Sequence, residues 1–285
     1  METKDFFFDL PEELIAKYPP EKRGESRLMM LNRGTGQRRH CMAAALPELL
    51  AGPEFRSPDG EAPLLVFNNS RVRKARLKAK LLTPGSGTVS GGAAGDGATG
   101  EAEFLLLNRI DSRTWRTMVN RAKRRRPKQR FCFSGGLEGE IVEAPGGAGR
   151  PANNAASGNE FRYLRFDSPI DDDWLDVHGR IPLPPYIKRD DEPADGERYQ
   201  TVYADRAAGA GLGPGASTAA PTAGLHFTEE LLALLRAAGI ESVFITLHVG
   251  PGTFLPVRTR RIEDHVMHEE AYTINSEAAR RINAA

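Results

Sequence analysis

Two glycine-rich stretches divide the sequence and limit how the chain can fold. Residues 85–100 and 145–158 consist mainly of small and polar residues, so neither carries enough apolar surface to order itself. The β-like runs between the two stretches are short and are separated by turn-forming residues: Glu103–Leu107, Thr114–Val119, Phe131–Phe133 and Glu140–Val142. Short strands at this spacing predict a small antiparallel β-barrel within residues 73–158, inserted into a larger domain.

The rest of the chain has the alternating pattern of an α/β domain. Thr228 is a good N-cap for a helix with leucines on one face, and Gly239 closes that helix. Residues 243–247 then form a buried-type strand, and a helix that leads into such a strand favours a partly parallel sheet. We therefore predict an α/β domain made of residues 1–72 and 159–285, with the barrel at 73–158 inserted into it.

The charges are unevenly distributed, although the formal net charge of the 285 residues is only +1. The first basic stripe comprises Arg71, Arg73, Lys74, Arg76, Lys78 and Lys80, and the second comprises Arg121, Lys123, Arg124, Arg125, Arg126, Lys128 and Arg130. Charge runs are usually solvated faces, but no acidic residue balances the second stripe, and a polyphosphate would relieve its repulsion. The residues expected to bind RNA are Arg73, Arg76, Lys78, Arg121, Lys123, Arg124, Arg125 and Arg126.

The cysteine content and the N-terminus bear on the compartment. Cys41 and Cys132 are too few for a disulfide scaffold or a cysteine-rich zinc module. The N-terminal residues carry charges where a signal peptide needs an apolar core, and no apolar run approaches the roughly 18 residues of a membrane helix. We expect a cytoplasmic protein that does not bind a membrane.

Four of the six histidines lie in the last third of the chain, near predicted element ends: His226, His248, His265 and His268. Loops at strand ends are where sites tend to lie. Residues 220–228 form a small-residue loop before a helix, where free amides can bind an anion, although small residues also simply permit tight packing. Residues 247–254 carry a GxG turn, but the third glycine and the helix of a dinucleotide fingerprint are missing.

A metal site is an alternative in the same region. His265 and His268 are three residues apart and Glu269 follows, so a helix there could present three ligands. This spacing differs from the HExxH pattern of the zincins, and no cysteine or clear further ligand accompanies it. Histidines hydrogen-bonded in an organic substrate site are the interpretation we prefer, and we predict no metal.

Several longer motifs follow one another along nearly the whole chain. They are Asp5-Phe6 to Leu10-Pro11, Ser26-Arg27-Leu28, and residues 66–72, 75–77, 181–187, 197–203, 220–228, 246–257 and 263–269. In this order they resemble the S-adenosylmethionine:tRNA ribosyltransferase-isomerases of queuosine biosynthesis. So many separate motifs make chance similarity implausible.

The resemblance implies an enzyme that transfers and isomerises the ribosyl part of S-adenosylmethionine onto 7-aminomethyl-7-deazaguanine at the tRNA wobble position. The products would be epoxyqueuosine-tRNA, adenine and methionine. S-adenosylmethionine would be a co-substrate, no cofactor would be required, and a monomer would bind the anticodon loop of tRNA. The resemblance also implies an α/β domain interrupted by a small barrel, and a family sequence that continues beyond a segment like residues 282–285, so we expect the C-terminal end to be missing.

The resemblance and the chemistry together suggest roles for individual residues. A sulfonium acidifies the hydrogens on the adjacent carbon, so His226 and His248 are expected to be the general base and the acid that assists adenine departure, in either order. Aromatic side chains could face the sulfonium or stack on adenine, and the amides of Ala223, Gly224 and residues 250–253 could bind the methionine carboxylate. The expected substrate-binding residues are Asn68, Arg71, Tyr199, Gln200, Pro221, Thr222, Ala223, Gly224, Phe227, Gly250, Gly252, Thr253, Phe254, His265, His268 and Glu269.

The catalytic hypothesis requires the loops that carry the four histidines to converge in one pocket. Two other functions stay open from the sequence. One is a non-catalytic RNA-binding relative, and the other is a metal-dependent hydrolase that uses His265, His268 and Glu269.

Overall fold

The chain forms a β-hairpin, a small mixed sheet and a closed barrel within the residues that the computed structural model describes, which are 1–82, 100–145, 161–207, 217–267 and 269–285. The strands are β1 (Arg27–Leu31), β2 (Arg38–Met42), β3 (Leu65–Asn68), β4 (Arg76–Leu81), β5 (Glu101–Arg109), β6 (Thr114–Val119), β7 (Arg130–Phe133), β8 (Glu138–Val142), β9 (Phe161–Phe166), β10 (Ser242–Leu247) and β11 (Tyr272–Thr273). The α-helices are α1 (Leu46–Ala51), α2 (Asp172–His178), α3 (Asp195–Arg198), α4 (Glu229–Ala237) and α5 (Ser276–Ala284). Short 3-10 helices include Ala122–Arg124, Thr222–His226, Pro251–Phe254 and Ile262–Asp264.

The barrel closes in the order β4-β5-β6-β9-β8-β7, and all its strand pairs are antiparallel. Alternation along the strands fits this arrangement, because most inward side chains are apolar and most outward ones are polar or half-buried; buried Thr117 in β6 is an exception. In β6, Trp115 and Val119 are buried whereas Arg116 and Met118 are half-buried. The inserted antiparallel barrel predicted from the sequence is therefore present.

The last strand of the barrel lies beyond the sequence-based boundary. β9 pairs with β6 and β8, and its Leu164 and Phe166 are buried in the barrel core. The barrel thus extends past residue 158 to Phe166. Helix α2 packs on this core through Leu175, and the Asp171 side chain caps its N-terminus by accepting from the Trp174 amide at 2.8 Å.

The mixed sheet has the order β11-β10-β3, with β10 parallel to β3 and antiparallel to β11. The register places Val66 beside Val243 and Phe67 beside Phe244. The partly parallel sheet expected from the helix-to-strand order is present.

Helix α4 leads into β10 and packs beside the mixed sheet. The Thr228 side chain caps α4 by accepting from the Leu231 amide at 3.1 Å, and Gly239 follows the helix with a φ of +77°. Leu231 and Leu235 are buried in a core cluster with Leu50 of α1. Both termini predicted for this helix are therefore confirmed. None of the helices in the described part of the chain combines the length and apolar character needed to traverse a bilayer.

Candidate active site

The site is built where the parallel strands β3 and β10 separate. At this point the Asn68 side chain replaces backbone pairing, because its Nδ2 donates to the Leu247 carbonyl at 2.9 Å and its Oδ1 accepts from the Leu247 amide at 3.0 Å. Oδ1 also accepts from the Ser70 amide at 3.0 Å. Ligands of open α/β sheets bind at the carboxyl ends of diverging strands. Asn68 therefore ties β3 to β10 where the crevice between them begins, and its polar atoms are occupied by the scaffold.

Residues 217–218 lie between residues 70–72, which follow β3, and residues 247–249 at the end of β10. Ser217 forms a parallel bridge with Val72, and its buried hydroxyl donates to the Ser70 hydroxyl at 2.9 Å and accepts from the Val249 amide at 3.0 Å. The Thr218 amide donates to the Val249 carbonyl at 3.0 Å. Buried polar groups in native proteins are hydrogen-bonded, so this network fixes the distance between residues 70–72 and residues 247–249. The sequence reasoning missed Ser70, Ser217 and Thr218, since no local pattern distinguishes them.

His248 follows β10 and sits at this crevice. Its amide donates to the Ala271 carbonyl at 2.9 Å, whereas both ring nitrogens are buried and have no hydrogen-bond partner among the described residues. Burial, together with the positive charge of Arg73, lowers the pKa of His248 below its ordinary value of 6.5. His248 is therefore a neutral imidazole near pH 7. A buried polar group without a partner costs about 1–3 kcal/mol, a cost that is typical of functional positions.

Thr222–His226 forms a 3-10 helix that packs against the cluster of Val72. His226 is exposed, and its Nδ1 lies 3.1 Å from the Ala223 carbonyl oxygen. Leu225 packs in the small core cluster that contains Val72 and Ala220. Among the neighbouring predicted residues, Thr222 and Ala223 are exposed and Pro221 is half-buried.

Gly224 is required by packing. A Cβ at this position would lie 2.2 Å from the Tyr203 hydroxyl oxygen and 2.8 Å from Thr201 Cγ2. The Gly224 amide also donates to the Pro221 carbonyl at 2.8 Å. The alternative that small residues here permit tight packing holds for Gly224, and its amide is already used within the loop.

Tyr199 and Gln200 hold the 197–203 segment against residue 72. The Gln200 side chain accepts from the Val72 amide at 3.0 Å and donates to the Val72 carbonyl at 2.6 Å, as a neighbouring strand would. Tyr199 is buried in the same cluster as Val72, and burial raises the pKa of its phenol to about 12. Both residues adjoin the crevice and contribute to its wall.

Arg23 is a residue of this region that the sequence reasoning missed. Its guanidinium donates to the carbonyls of Gln200 at 2.9 Å, Leu225 at 3.1 Å and Glu197 at 3.0 Å. It therefore joins the segment of Tyr199 and Gln200 to the helix of His226. The only local signal is an arginine before Gly24, whose φ of +91° allows the chain to turn against Thr228.

Phe227 belongs to an aromatic cluster under the mixed sheet. Its ring meets Phe67 edge-on at 4.9 Å, and Phe67 also contacts Tyr203 at 4.8 Å. Phe227 is half-buried, so part of its ring is still accessible. The side chain of Phe254, a second predicted aromatic contact, lies outside the described part of the structure.

The turn after His248 already binds a carboxylate. The Gly250 amide donates to Glu270 Oε1 at 2.8 Å, which shows that this turn can bind a carboxylate but also that the Gly250 amide is occupied. Gly252 and Thr253 continue in the 3-10 helix Pro251–Phe254, where Thr253 is exposed. Arg71 is held by Asp176 at 3.1 Å and faces an internal partner.

His265 lies at a different junction. Its amide donates to the Ile262 carbonyl at 3.1 Å, and the Ile262 amide donates to the Met1 carbonyl at 3.2 Å, so this segment is tied to the N-terminus. No hydrogen bond or ion pair joins His265 to His226 or His248 within the described ranges. The structure thus brings the loops of His226 and His248 to residues 68–73, and it gives no contact that adds His265.

The metal alternative finds no support in the described residues. They contain no group of three histidine, cysteine or acidic side chains that could hold a metal ion. His268 lies outside the described residues, and Glu269 is exposed.

The two basic stripes differ in their environment. The predicted RNA ligands of the first stripe are engaged within the protein, since Arg73 pairs with Asp172 at 2.6 Å, Arg76 with Glu103 at 2.7 Å and Lys78 with Asp190 at 3.0 Å. These cations are neutralised by acidic residues that are distant in the sequence but adjacent in the fold. They are therefore poor candidates for RNA contacts, in contrast to the expectation from the sequence.

The second stripe stays largely cationic, although its last member, Arg130, pairs with Glu138 at 2.5 Å. Lys123, Arg124 and Arg126 are exposed and form no ion pair with another described residue. Arg121 starts this loop in a left-handed conformation with a φ of +54°. Arg125 is buried instead, and its guanidinium donates to the Glu101 carbonyl at 2.6 Å.

The comparisons with known proteins agree with the motifs that surround this crevice. A family described as queuosine biosynthesis protein matches residues 3–285. The chain belongs to this family. The family resemblance predicted from the sequence, and with it the assignment as a transferase-isomerase of queuosine biosynthesis, is therefore confirmed. Neither alternative function is favoured.

Similar proteins cover the whole chain. The S-adenosylmethionine:tRNA ribosyltransferase-isomerase of Treponema denticola is 42% identical over 288 residues, which span 100% of this chain and 71% of that protein. The protein of the same name from Desulfitobacterium hafniense is 40% identical, again over 100% of this chain and 71% of its own length. A solved S-adenosylmethionine tRNA ribosyltransferase from Thermotoga maritima is 24% identical with a TM-score of 0.34, over 98% of this chain and 64% of that one.

Proposed function

We propose that this chain carries the ribosyl transfer and isomerisation step of queuosine biosynthesis. The substrates would be S-adenosylmethionine and a tRNA with 7-aminomethyl-7-deazaguanine at its wobble position. The products would be epoxyqueuosine-tRNA, adenine and methionine. The observation that carries the proposal is the neutral imidazole of His248, which has no hydrogen-bond partner among the described residues and lies at the point where β3 and β10 diverge.

His248 is suited to the role of general base. A neutral imidazole can accept a proton, and the carbon next to a sulfonium is acidified, so His248 would remove a C5′ hydrogen of S-adenosylmethionine. Neither ring nitrogen has to break a hydrogen bond to another described residue to do so. The ring nitrogens of His248 are buried whereas His226 is exposed, and this difference supports His248 as the base and His226 as the acid.

His226 would then assist the departure of adenine. Its Nδ1 is placed to donate to the Ala223 carbonyl, so a second proton would be carried on Nε2 and given to the leaving base. The ring is exposed, like Thr222 and Ala223 in the same 3-10 helix. Phe227 supplies an aromatic face in the same segment, which is attractive to a sulfonium or to adenine.

The tRNA would bind through the second basic stripe. Lys123, Arg124 and Arg126 present charges that no described acidic residue neutralises, and phosphates bound there would release counterions. The wobble base lies in a single-stranded loop, where it can be splayed out of the stack and inserted into a pocket. The absence of a required cofactor and a monomeric state are further parts of the proposal.

Adenine release tests the proposed reaction. The protein is mixed with S-adenosylmethionine and tRNA carrying the aminomethyl base, and adenine is quantified by chromatography. Adenine that appears only when both substrates are present supports the transfer. His248→Ala and His226→Ala should each lose at least about 100-fold in turnover, which is the typical contribution of a positioned acid or base.

His40→Ala is the matched control, because His40 is exposed on the distant hairpin strand β2. It should turn over at the wild-type rate. Near-normal turnover in both site variants would remove the proposed roles of His226 and His248. No adenine from the wild-type chain under these conditions would remove the proposed reaction.

A further inference from the structure

The outer face of the barrel at β6 and β9 combines aromatic and cationic side chains. The register pairs Arg116 with Tyr163 and Met118 with Phe161, and residues paired across antiparallel strands point to the same side. Trp115 on β6 and Leu164 on β9 are buried in the barrel. Their neighbours Arg116 and Tyr163 therefore face outward.

The guanidinium of Arg116 packs on an aromatic ring of this face. The Arg116 guanidinium lies over the Phe161 ring at 4.0 Å from its centroid, and Tyr163 is its direct cross-strand neighbour. Phe161, Tyr163 and Arg116 are all half-buried, so a part of each remains accessible. We name Arg116, Met118, Phe161 and Tyr163 the aromatic strip.

Cations flank the aromatic strip at both ends. The loop that follows β6 carries Lys123, Arg124 and Arg126 at the Phe161 end. At the other end, exposed Arg165 lies across from Thr114. The acidic residues near this second end are Glu140, which is the β8 partner of Arg165, and Asp111, whose pKa is lowered in part by Arg165.

Arg162 fixes the cationic loop to β9 at the end of the barrel where Phe161 lies. Its guanidinium donates to the Arg125 carbonyl at 2.8 Å and to the Ala122 carbonyl. Two carbonyls inside the loop are therefore tied to the start of β9. Arg125 is turned inward over the Phe131 ring at 5.6 Å. The exposed cations are thus presented on a rigid element that begins where the aromatic strip ends.

We propose that the aromatic strip and the loop 121–128 form one platform for an unpaired segment of RNA, in which Tyr163 stacks on a base and Lys123, Arg124 and Arg126 bind the backbone phosphates. Sheet faces with this composition bind single strands, because every base has a π-face and every nucleotide has a phosphate. The proposal deepens the proposed function, since the RNA would be the tRNA substrate. The new element is the aromatic strip, on which Tyr163 would stack a base beside the cations of the loop.

The test measures binding of a labelled tRNA transcript and of heparin at several salt concentrations. Tyr163→Leu keeps an apolar side chain on the strand and should weaken tRNA binding about tenfold without a change in salt dependence, since stacking contributes about 1–3 kcal/mol per base. It should leave heparin binding unchanged, because heparin has no bases. The triple variant Lys123→Gln, Arg124→Gln, Arg126→Gln should weaken binding to both polyanions and reduce the salt slope for tRNA by about 2.

Lys80→Gln is the matched charge control for a single Lys123→Gln exchange. Lys80 is exposed on β4, which lies across the closed barrel from β9. Lys123→Gln should weaken tRNA binding, and Lys80→Gln should not. Thermal unfolding of each variant shows whether the barrel remains folded.

Two outcomes would overturn the proposal: a Tyr163→Leu variant that is folded and binds tRNA within twofold of wild type, or equal losses for Lys80→Gln and Lys123→Gln. The adenine assay is a separate readout. If the wild-type chain releases no adenine but shows these binding differences, the platform stands and the proposed reaction fails.

Discussion

The guanidinium of Arg73 donates to Asp172 Oδ1 at 2.6 Å, and the same positive charge adds to the effect of burial in lowering the pKa of His248. Arg73 also lies 5.4 Å from the centre of the Trp115 ring in the barrel. A residue that belongs to a basic stripe in the sequence is therefore internal in the structure. It connects the barrel, helix α2 and the crevice.

Exchanges at this ion pair should move the pKa of His248 in opposite directions. Arg73→Gln removes a charge that disfavours the imidazolium, so the pKa of His248 should rise toward 6.5. Asp172→Asn leaves Arg73 without its counter-charge and should lower the pKa further. Two-dimensional NMR of the histidine ring protons across a pH series measures both shifts.

The pH dependence of turnover should shift in the same direction as the pKa of His248. Because the pKa of His248 is lowered in the folded protein, the neutral base persists as the pH falls through 6.5, and activity is lost only below that value. The acidic limb of the turnover profile should therefore move to higher pH in Arg73→Gln. A limb that stays in place while the NMR pKa moves would exclude His248 as the base.

Gly224→Ala should destabilise the protein by about 1–3 kcal/mol, because a new Cβ would overlap the Tyr203 hydroxyl, 2.2 Å away. Tyr203→Phe removes that oxygen but leaves Thr201 Cγ2 at 2.8 Å from the new Cβ, so the double variant should recover only part of the loss. Urea unfolding measures the free energies. Gly196→Ala is the control, since a Cβ there meets no atom within 4 Å. Equal stability of the single and double variants would show that the strain lies elsewhere.

The sequence was sufficient where the signal is local. The β-like runs from Glu103 to Val142 predict strands, and Thr228 and Gly239 predict the ends of α4, because capping and turn chemistry act within a few residues. The end of the barrel was placed too early. β9 is separated from its partners in sequence, and which strand closes a barrel depends on non-local pairing that no short pattern encodes.

The sequence could not separate the two basic stripes, since their composition is alike. The difference arises from partners that are distant along the chain, Asp172 and Asp190 for the first stripe, against none among the described residues for Lys123. The sequence likewise could not show that Asn68 and Gln200 act as scaffold. Their amides satisfy backbone groups of Leu247 and Val72, and only the fold reveals which side chains act as scaffold.

Asn68→Asp should destabilise the sheet end by about 1–3 kcal/mol, because a carboxylate cannot donate to the Leu247 carbonyl and would face it at hydrogen-bond distance. The loss should be accompanied by a lower turnover, since the crevice depends on the separation of β3 and β10. Denaturant unfolding and the adenine assay measure the two effects. A variant with unchanged stability would contradict the proposed role of Asn68 in tying β3 to Leu247 of β10.

The N-terminal segment is held over α3 by a buried ion pair. Arg189 donates to both carboxylate oxygens of Asp195 at 2.7 and 2.8 Å, and it also donates to the Lys17 carbonyl at 2.9 Å and lies 4.3 Å from the Tyr18 ring centre. The side chains of Arg189 and Asp195 are only 13% and 7% exposed, so loss of one charge leaves the other desolvated.

Asp195→Asn should therefore destabilise the protein by about 3 kcal/mol at pH 7. Hydrogen bonding to Arg189 lowers the pKa of Asp195 below 3.8, so the stabilisation is present above that pH and is lost as the pH falls through the lowered pKa. The difference between wild type and variant should accordingly shrink in acid. Urea unfolding at several pH values measures it, with Glu197→Gln as the control, since Glu197 is exposed on the same helix. Equal effects of the two exchanges at pH 7, or a difference that does not depend on pH, would show that the ion pair does not hold this segment in place.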